Sequence, residues 1–274
     1  MERAFQSIPI PERPPKPRKI GLTMTFEGME SGVFGLDTAK DFLETCGEYV
    51  DIIKSGWLIS ALHPKSFVKK KNELFQEYQV DVFPGGLLLE KALVQGVGGM
   101  CLREAKELGF TAIEVSDSII CLSHREKVHW VEEAKKAGLK IVVELGKKGG
   151  GTLRPDTAIK QIGEYLDAGA YKVILESEEL ETVFSKNDVG SSESADTLTQ
   201  IIEEVGMEHV ILECPYGKFF SELNHILWWF VEQYGVNVSL GNIEPKHILS
   251  LETIRRGLSF NKGFGMLPLP EKND

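Results

Sequence analysis

Eight short apolar runs, most of them rich in β-branched residues, recur along the chain: Ile20–Thr25, Val50–Lys54, Val80–Phe83, Ala112–Val115, Ile141–Glu144, Tyr171–Glu176, His209–Glu213 and Asn237–Leu240. Between them lie longer stretches with apolar residues three and four apart, as in Met100–Leu108 and Val128–Ala137, which is the spacing of a helix with one buried face. Strands separated by helices pair in parallel, because a parallel neighbour needs a crossover. Eight such units close into a barrel. The pattern therefore predicts an α/β protein with a single (β/α)8 TIM barrel over residues 19–274. A proline-rich arm over residues 1–18 precedes it, extended because its prolines forbid a helix. Asp37 is expected to N-cap the first helix and Gly47 to stop it.

The length of 274 residues fits one barrel of roughly 250 residues better than two small domains. With 42% hydrophobic and 26% charged residues the chain can bury a large core. No apolar run is long enough to span a bilayer, and the N-terminus lacks an apolar signal region, so a cytoplasmic protein without a membrane partner is expected. The excess of 41 acidic over 31 basic residues disfavours nucleic acid as a partner. It leaves room for a small anionic substrate held by local cations. Cys46, Cys101, Cys121 and Cys214 show no metal-binding spacing and are read as buried free thiols. Trp228 and Trp229 belong to a helix packed on the barrel or to a subunit contact, and the arm offers a second such contact, so a homo-oligomer stands open beside a monomer.

Candidate chemistry gathers at the C-terminal ends of the strands, the catalytic rim of such barrels. Lys54 closes the second strand, either as a snorkelling stem or as an anion ligand. Gly85 and Gly86 after the third strand permit a tight turn or close approach to a ligand. Glu114 and Ser116 share one face of the fourth strand, and Asp117 and Ser118 follow in the loop. A carboxylate inside a barrel strand is costly unless it meets a cation, a metal or a hydrogen-bonded substrate. Glu144 ends the fifth strand, with Lys147, Lys148 and Gly149–Gly151 in the following loop, a combination suited to an anion beside a divalent metal. Glu176 and Glu213 end the next two strands, and Gly241 and Asn242 follow the eighth, where barrels often bind phosphate. Glu27 and Glu30 fall in the loop after the first strand. Walker, GxSxG and HExxH motifs are absent, and the six histidines do not gather at strand ends.

The segments KSGW, GG followed by E, AKELGFTAIEVSDS, VELGKK, ILECP, VNVSLGNI and SLETIRRGL, in this order from about Ile20 to Leu258, resemble the phosphosulfolactate synthase family. The resemblance implies a Mg²⁺-dependent barrel that adds sulfite to phosphoenolpyruvate to give 2-phospho-3-sulfolactate, on the route to coenzyme M or sulfolactate. Under that resemblance, position assigns the metal to Glu144, with Glu114, Asp117 or Glu213 assisting. Lys147 or Lys148 would be the general acid with Glu114 beside it, and Lys54, Gly86, Ser116, Gly241 and Asn242 would bind substrate. The chain departs from the family pattern at three places. Glu27, Gly28 and Met29 stand for aspartate, lysine and glycine, Glu178 for an arginine, and WLIS, with Leu58 and Ile59, for WGTS. Two other outcomes remain on the sequence: a related lyase or isomerase for a less anionic substrate, or a non-catalytic barrel similar to the plant heat-stress-associated relatives of the family.

Overall fold

The computed structural model describes residues 4–28, 34–146, 153–176, 193–215 and 220–258. Its strands are β1 (Thr23–Glu27), β2 (Ile52–Ser55), β3 (Asp81–Phe83), β4 (Ala112–Val115), β5 (Lys140–Leu145), β6 (Lys172–Leu175), β7 (Val210–Glu213) and β8 (Leu240–Ile243). They form an eight-stranded sheet in the order β3-β2-β1-β8-β7-β6-β5-β4, with each recorded ladder parallel. At the seam the Thr111 amide donates to the Val82 carbonyl at 3.0 Å, and the Val82 amide donates to the Thr111 hydroxyl at 2.9 Å. The ring is thus joined on its last side as well. The helices are α1 (Leu36–Cys46), α2 (Ile59–Leu62), α3 (Lys65–Glu77), α4 (Gly86–Val94), α5 (Gly98–Glu107), α6 (His124–Lys136), α7 (Pro155–Ala168), α8 (Glu193–Val205), α9 (Phe220–Tyr234) and α10 (Ile248–Arg255).

Period-two alternation along each strand sets what faces the lumen. Leu22, Met24, Ile52, Phe83, Ala112, Val142, Ile174 and Ile211 pack together as an inner core. Their neighbours Ile53, Val82, Ile113, Val143, Val173 and Leu212 join the outer core under the helices. Two residues beyond the inner layer, on the same face, stand Phe26, Lys54, Glu114, Glu144, Glu176 and Glu213. A charged layer thus sits on an apolar floor at the mouth of the barrel. Each fully buried Ile or Leu below it stabilises by roughly 1.5–3 kcal/mol, which offsets the cost of holding those charges.

Several boundaries differ from the sequence expectation. β1 extends to Glu27, which is therefore not in the loop. Odd in parity to Phe26, it faces outward and is bonded by Lys71 Nζ of α3 at 2.5 Å and by the Ser55 hydroxyl at 2.7 Å. β8 begins at Leu240 rather than Asn237, so Gly241 and Asn242 lie within it. Ahead of it, the Leu22 amide goes to the Ser239 side chain, and the Val238 carbonyl is taken by Arg255. The N-cap of α1 is Gly35, with Asp37 in the first turn, where its charge still favours the helix dipole. Gly47 is the C-cap, as expected. Trp228 and Trp229 lie in α9 and pack against the outer core.

Residues 13–18 contact the side of the barrel at which the strands begin. Lys16 Nζ donates to the carbonyls of Gly47, Val50 and Tyr78 at 2.9, 2.7 and 2.7 Å. Arg18 pairs with Asp51 at 3.1 Å, and Arg13 with Glu252 at 2.7 Å. Cys46 and Cys214 are buried free thiols, whereas Cys121 is exposed. Among the described residues no helix is long and apolar enough to cross a membrane.

Candidate active site

The mouth of the barrel holds a cavity lined by Lys54, Trp57, Gly86, Glu114, Glu144 and Glu213 among others. Carboxylate oxygens of Glu114, Glu144 and Glu213 lie within 4.8 Å of one another. All three residues are at least 94% buried, a density of like charge that an apolar barrel tolerates only with cations close by. Lys54 supplies one: its Nζ bridges Glu114 at 2.9 Å and Glu213 at 3.1 Å. Lys54, from β2, is thus a cation that compensates Glu114.

Neighbouring groups fix each carboxylate. The Gly86 amide, at the start of α4, donates to Glu114 Oε2 at 2.5 Å. A Cβ at Gly86 would fall 2.0 Å from the Ser116 hydroxyl oxygen, so only glycine lets the helix come this close. Asn242 Nδ2 donates to Glu213 Oε2 at 2.7 Å, and the Ser118 hydroxyl to Glu144 Oε1 at 2.9 Å. Gly86 and Asn242, expected on substrate, are thus found on carboxylates of the mouth. The Ser116 hydroxyl, also expected on substrate, donates to Glu90. Gly241 packs in the lumen, where an added Cβ would meet Met24 Cε at 2.5 Å. Asp117 stands apart from the trio, paired with Lys127 Nζ at 2.5 Å. Lys147, Lys148, Gly149–Gly151, Glu30 and Glu178 lie outside the described residues. Sequence reasoning gave no role to Trp57, Lys71, Lys127 or Glu90, although Trp57 ends the KSGW segment and Glu90 is the acid of GG followed by E, inside the apolar helical run GLLLEKALV.

Burial, above all, pushes the carboxyl groups of Glu114, Glu144 and Glu213 upward, and repulsion within the trio adds to it against the pull of Lys54. The folded chain therefore holds more protons than the unfolded chain, in which these groups titrate near 4.5. Their contribution to stability is complete below that pH and is lost as pH rises towards the raised folded values. With EDTA present, the melting temperature should fall over this range, and millimolar Mg²⁺ should flatten the fall; equal slopes with and without Mg²⁺ would contradict the trio as its site.

Just past Lys54, Trp57 and Leu58 both adopt left-handed backbone, at φ 56° and 57°. A leucine there costs about 1–2 kcal/mol that glycine avoids, less roughly 0.5–1 kcal/mol for the freer unfolded chain. Leu58→Gly should raise stability by about 0.5–1 kcal/mol in denaturant titration; a loss would mean that the leucine side chain contributes more than its backbone costs.

Three clustered oxygen donors with a bridging ammonium suit a hard divalent cation, since the position already draws positive charge. Fold and mouth together define a barrel enzyme that acts on a small substrate. The family model "(2R)-phospho-3-sulfolactate synthase (ComA)" matches residues 11–261, and the chain belongs to that family of lyase-type enzymes. Phosphosulfolactate synthase of Methanothermobacter thermautotrophicus is 33% identical over 251 residues, covering 90% of this chain and 93% of that protein. Protein HEAT-STRESS-ASSOCIATED 32 of Arabidopsis thaliana is 25% identical over 269 residues, covering 89% and 88%. The crystal structure of KGPDC from Streptococcus mutans shares the fold, with TM-score 0.51, 15% identity and coverage of 86% and 98%.

Proposed function

We propose that the chain adds sulfite to phosphoenolpyruvate, giving 2-phospho-3-sulfolactate, with Mg²⁺ held by Glu114, Glu144 and Glu213. The observation that carries this reading is the buried trio with Lys54 across it, in the mouth of a barrel of this family. When bound, Mg²⁺ supplies Lewis-acid charge for the substrate carboxylate, where negative charge builds during the addition. The sulfite sulfur forms its bond to C3 with a lone pair, and the C2–C3 π pair moves toward the carboxylate. A proton delivered to C2 completes the product, so nothing is oxidised and no group leaves. Lys147 or Lys148 is the proposed proton source.

Lys54 is the proposed anion ligand. With Glu114 and Glu213 holding a divalent cation, the Lys54 ammonium would turn to a phosphate or sulfonate oxygen. Trp57 and Phe26 supply apolar wall beside it, lowering the local dielectric and strengthening that contact. Glu178, in place of the family arginine, puts more of the anion binding on Lys54 and the lysine pair.

Calorimetric titration of phosphoenolpyruvate tests the coupling. Its affinity should be at least tenfold higher with Mg²⁺ than with EDTA, and equal affinities would remove the metal from the reading.

A further inference from the structure

We infer that Glu90, a residue outside the mouth layer, is a positioning residue for the carboxylate trio and acts through Ser118. Glu90 lies on α4 and is completely buried. Its Oε1 accepts from the Ser116 hydroxyl and from the Ser118 amide at 3.0 Å. Oε2 accepts from the amides of Ile119 at 2.7 Å and Ile120 at 3.2 Å. Both oxygens are filled by the loop that leaves β4, which is what makes a carboxylate tolerable inside an apolar helix face. The far end of the loop is fixed by the capping box of Ser123 and Glu126 at the start of α6.

Held at both ends, the loop presents the Ser118 hydroxyl to Glu144 Oε1 at 2.9 Å. The same helix places the Gly86 amide on Glu114. One helix therefore orients two of the three carboxylates, the first with its opening amide and the second through a carboxylate one turn further on. A leucine at position 90 would suit the packing between α4 and the sheet, but would leave the amides of residues 118–120 without their acceptors. Groups that orient metal ligands in this way set affinity, typically by 10–100-fold. The inference rests on the proposed reading of the trio as a metal site.

Mn²⁺ is the probe, with binding followed by electron paramagnetic resonance and amide exchange of residues 118–120 measured alongside. Glu90→Gln keeps the shape but turns an NH₂ group toward one pair of donors. It should lose amide protection at the loop and bind Mn²⁺ about 10–100-fold more weakly. Ser118→Ala leaves Glu90 and the loop amides in place. It should keep their protection and still bind Mn²⁺ about tenfold more weakly, and it carries the test should Glu90→Gln fail to fold. Wild-type affinity in Ser118→Ala, or lost protection in Glu90→Gln with unchanged Mn²⁺ binding, would overturn the relay while leaving the metal site standing. An unsubstituted protein that binds no Mn²⁺ would overturn the metal reading itself and the relay with it.

Discussion

Replacing Lys54 with methionine should cost about 3 kcal/mol of stability at neutral pH and abolish turnover, yet tighten the grip on a divalent cation. The stability loss follows from taking one partner out of a buried ionic cluster, which typically costs 3–5 kcal/mol because the remaining charges stay buried. The lower end applies because the trio, already raised by burial, can take up protons in place of the lost ammonium. The gain in metal affinity has the same origin. The Lys54 ammonium sits 2.9 and 3.1 Å from the oxygens that a divalent ion needs, so it competes for them. Denaturant unfolding in EDTA reads the first effect and Mn²⁺ titration the second, with an expected increase in affinity of about tenfold for roughly 1.4 kcal/mol of lost competition. A variant that is no less stable and binds Mn²⁺ no better would show that the bridge carries little energy.

Glu144→Gln should have the opposite balance. Glu144 accepts from Ser118, while Lys54 bridges Glu114 and Glu213. Its removal therefore takes a buried like charge out of the mouth without breaking that bridge. Stability in EDTA should stay level or rise by up to about 1 kcal/mol, as is common where a functional site is electrostatically strained. Turnover should fall by about 10²–10³, the range for loss of a group that stabilises developing charge. The rise in melting temperature expected from Mg²⁺ in the unsubstituted protein should also disappear, because that rise depends on binding to the folded chain. Activity within tenfold of the unsubstituted enzyme would place the metal elsewhere.

The barrel was legible because its signal is repeated: each apolar run has the same two-residue parity, and each is followed by a helical stretch. The mouth showed in the charged residues that close the runs, Lys54, Glu144, Glu176 and Glu213, and the structure adds that they share a parity. Ile52 then Lys54, Ala112 then Glu114, Val142 then Glu144 and Ile211 then Glu213 are the same step from floor to rim. Partners were harder to read than positions. That Lys54 serves Glu114 depends on β2 and β4 flanking β3 in the closed barrel, which spacing along the chain does not encode. Glu27 was misplaced because the glycines after it suggest a loop, while its true partner, Lys71, lies on a helix 44 residues on. β8 was set three residues early because VNVSLGNI alternates evenly, and the start of its ladder is decided by Ser239 and Arg255. Glu90 was visible as the acid after Gly85 and Gly86, but its role was not, since three of its four donors are backbone amides that carry no residue identity.

The central claim is that this mouth joins sulfite to phosphoenolpyruvate beside a divalent cation. Its most direct test is phosphorus NMR of the purified protein with both substrates, with Mg²⁺ and with EDTA. The account predicts a new phosphosulfolactate resonance that grows with Mg²⁺ and is absent with EDTA. A folded protein that binds Mg²⁺ and leaves the phosphoenolpyruvate resonance unchanged in the presence of sulfite would contradict it.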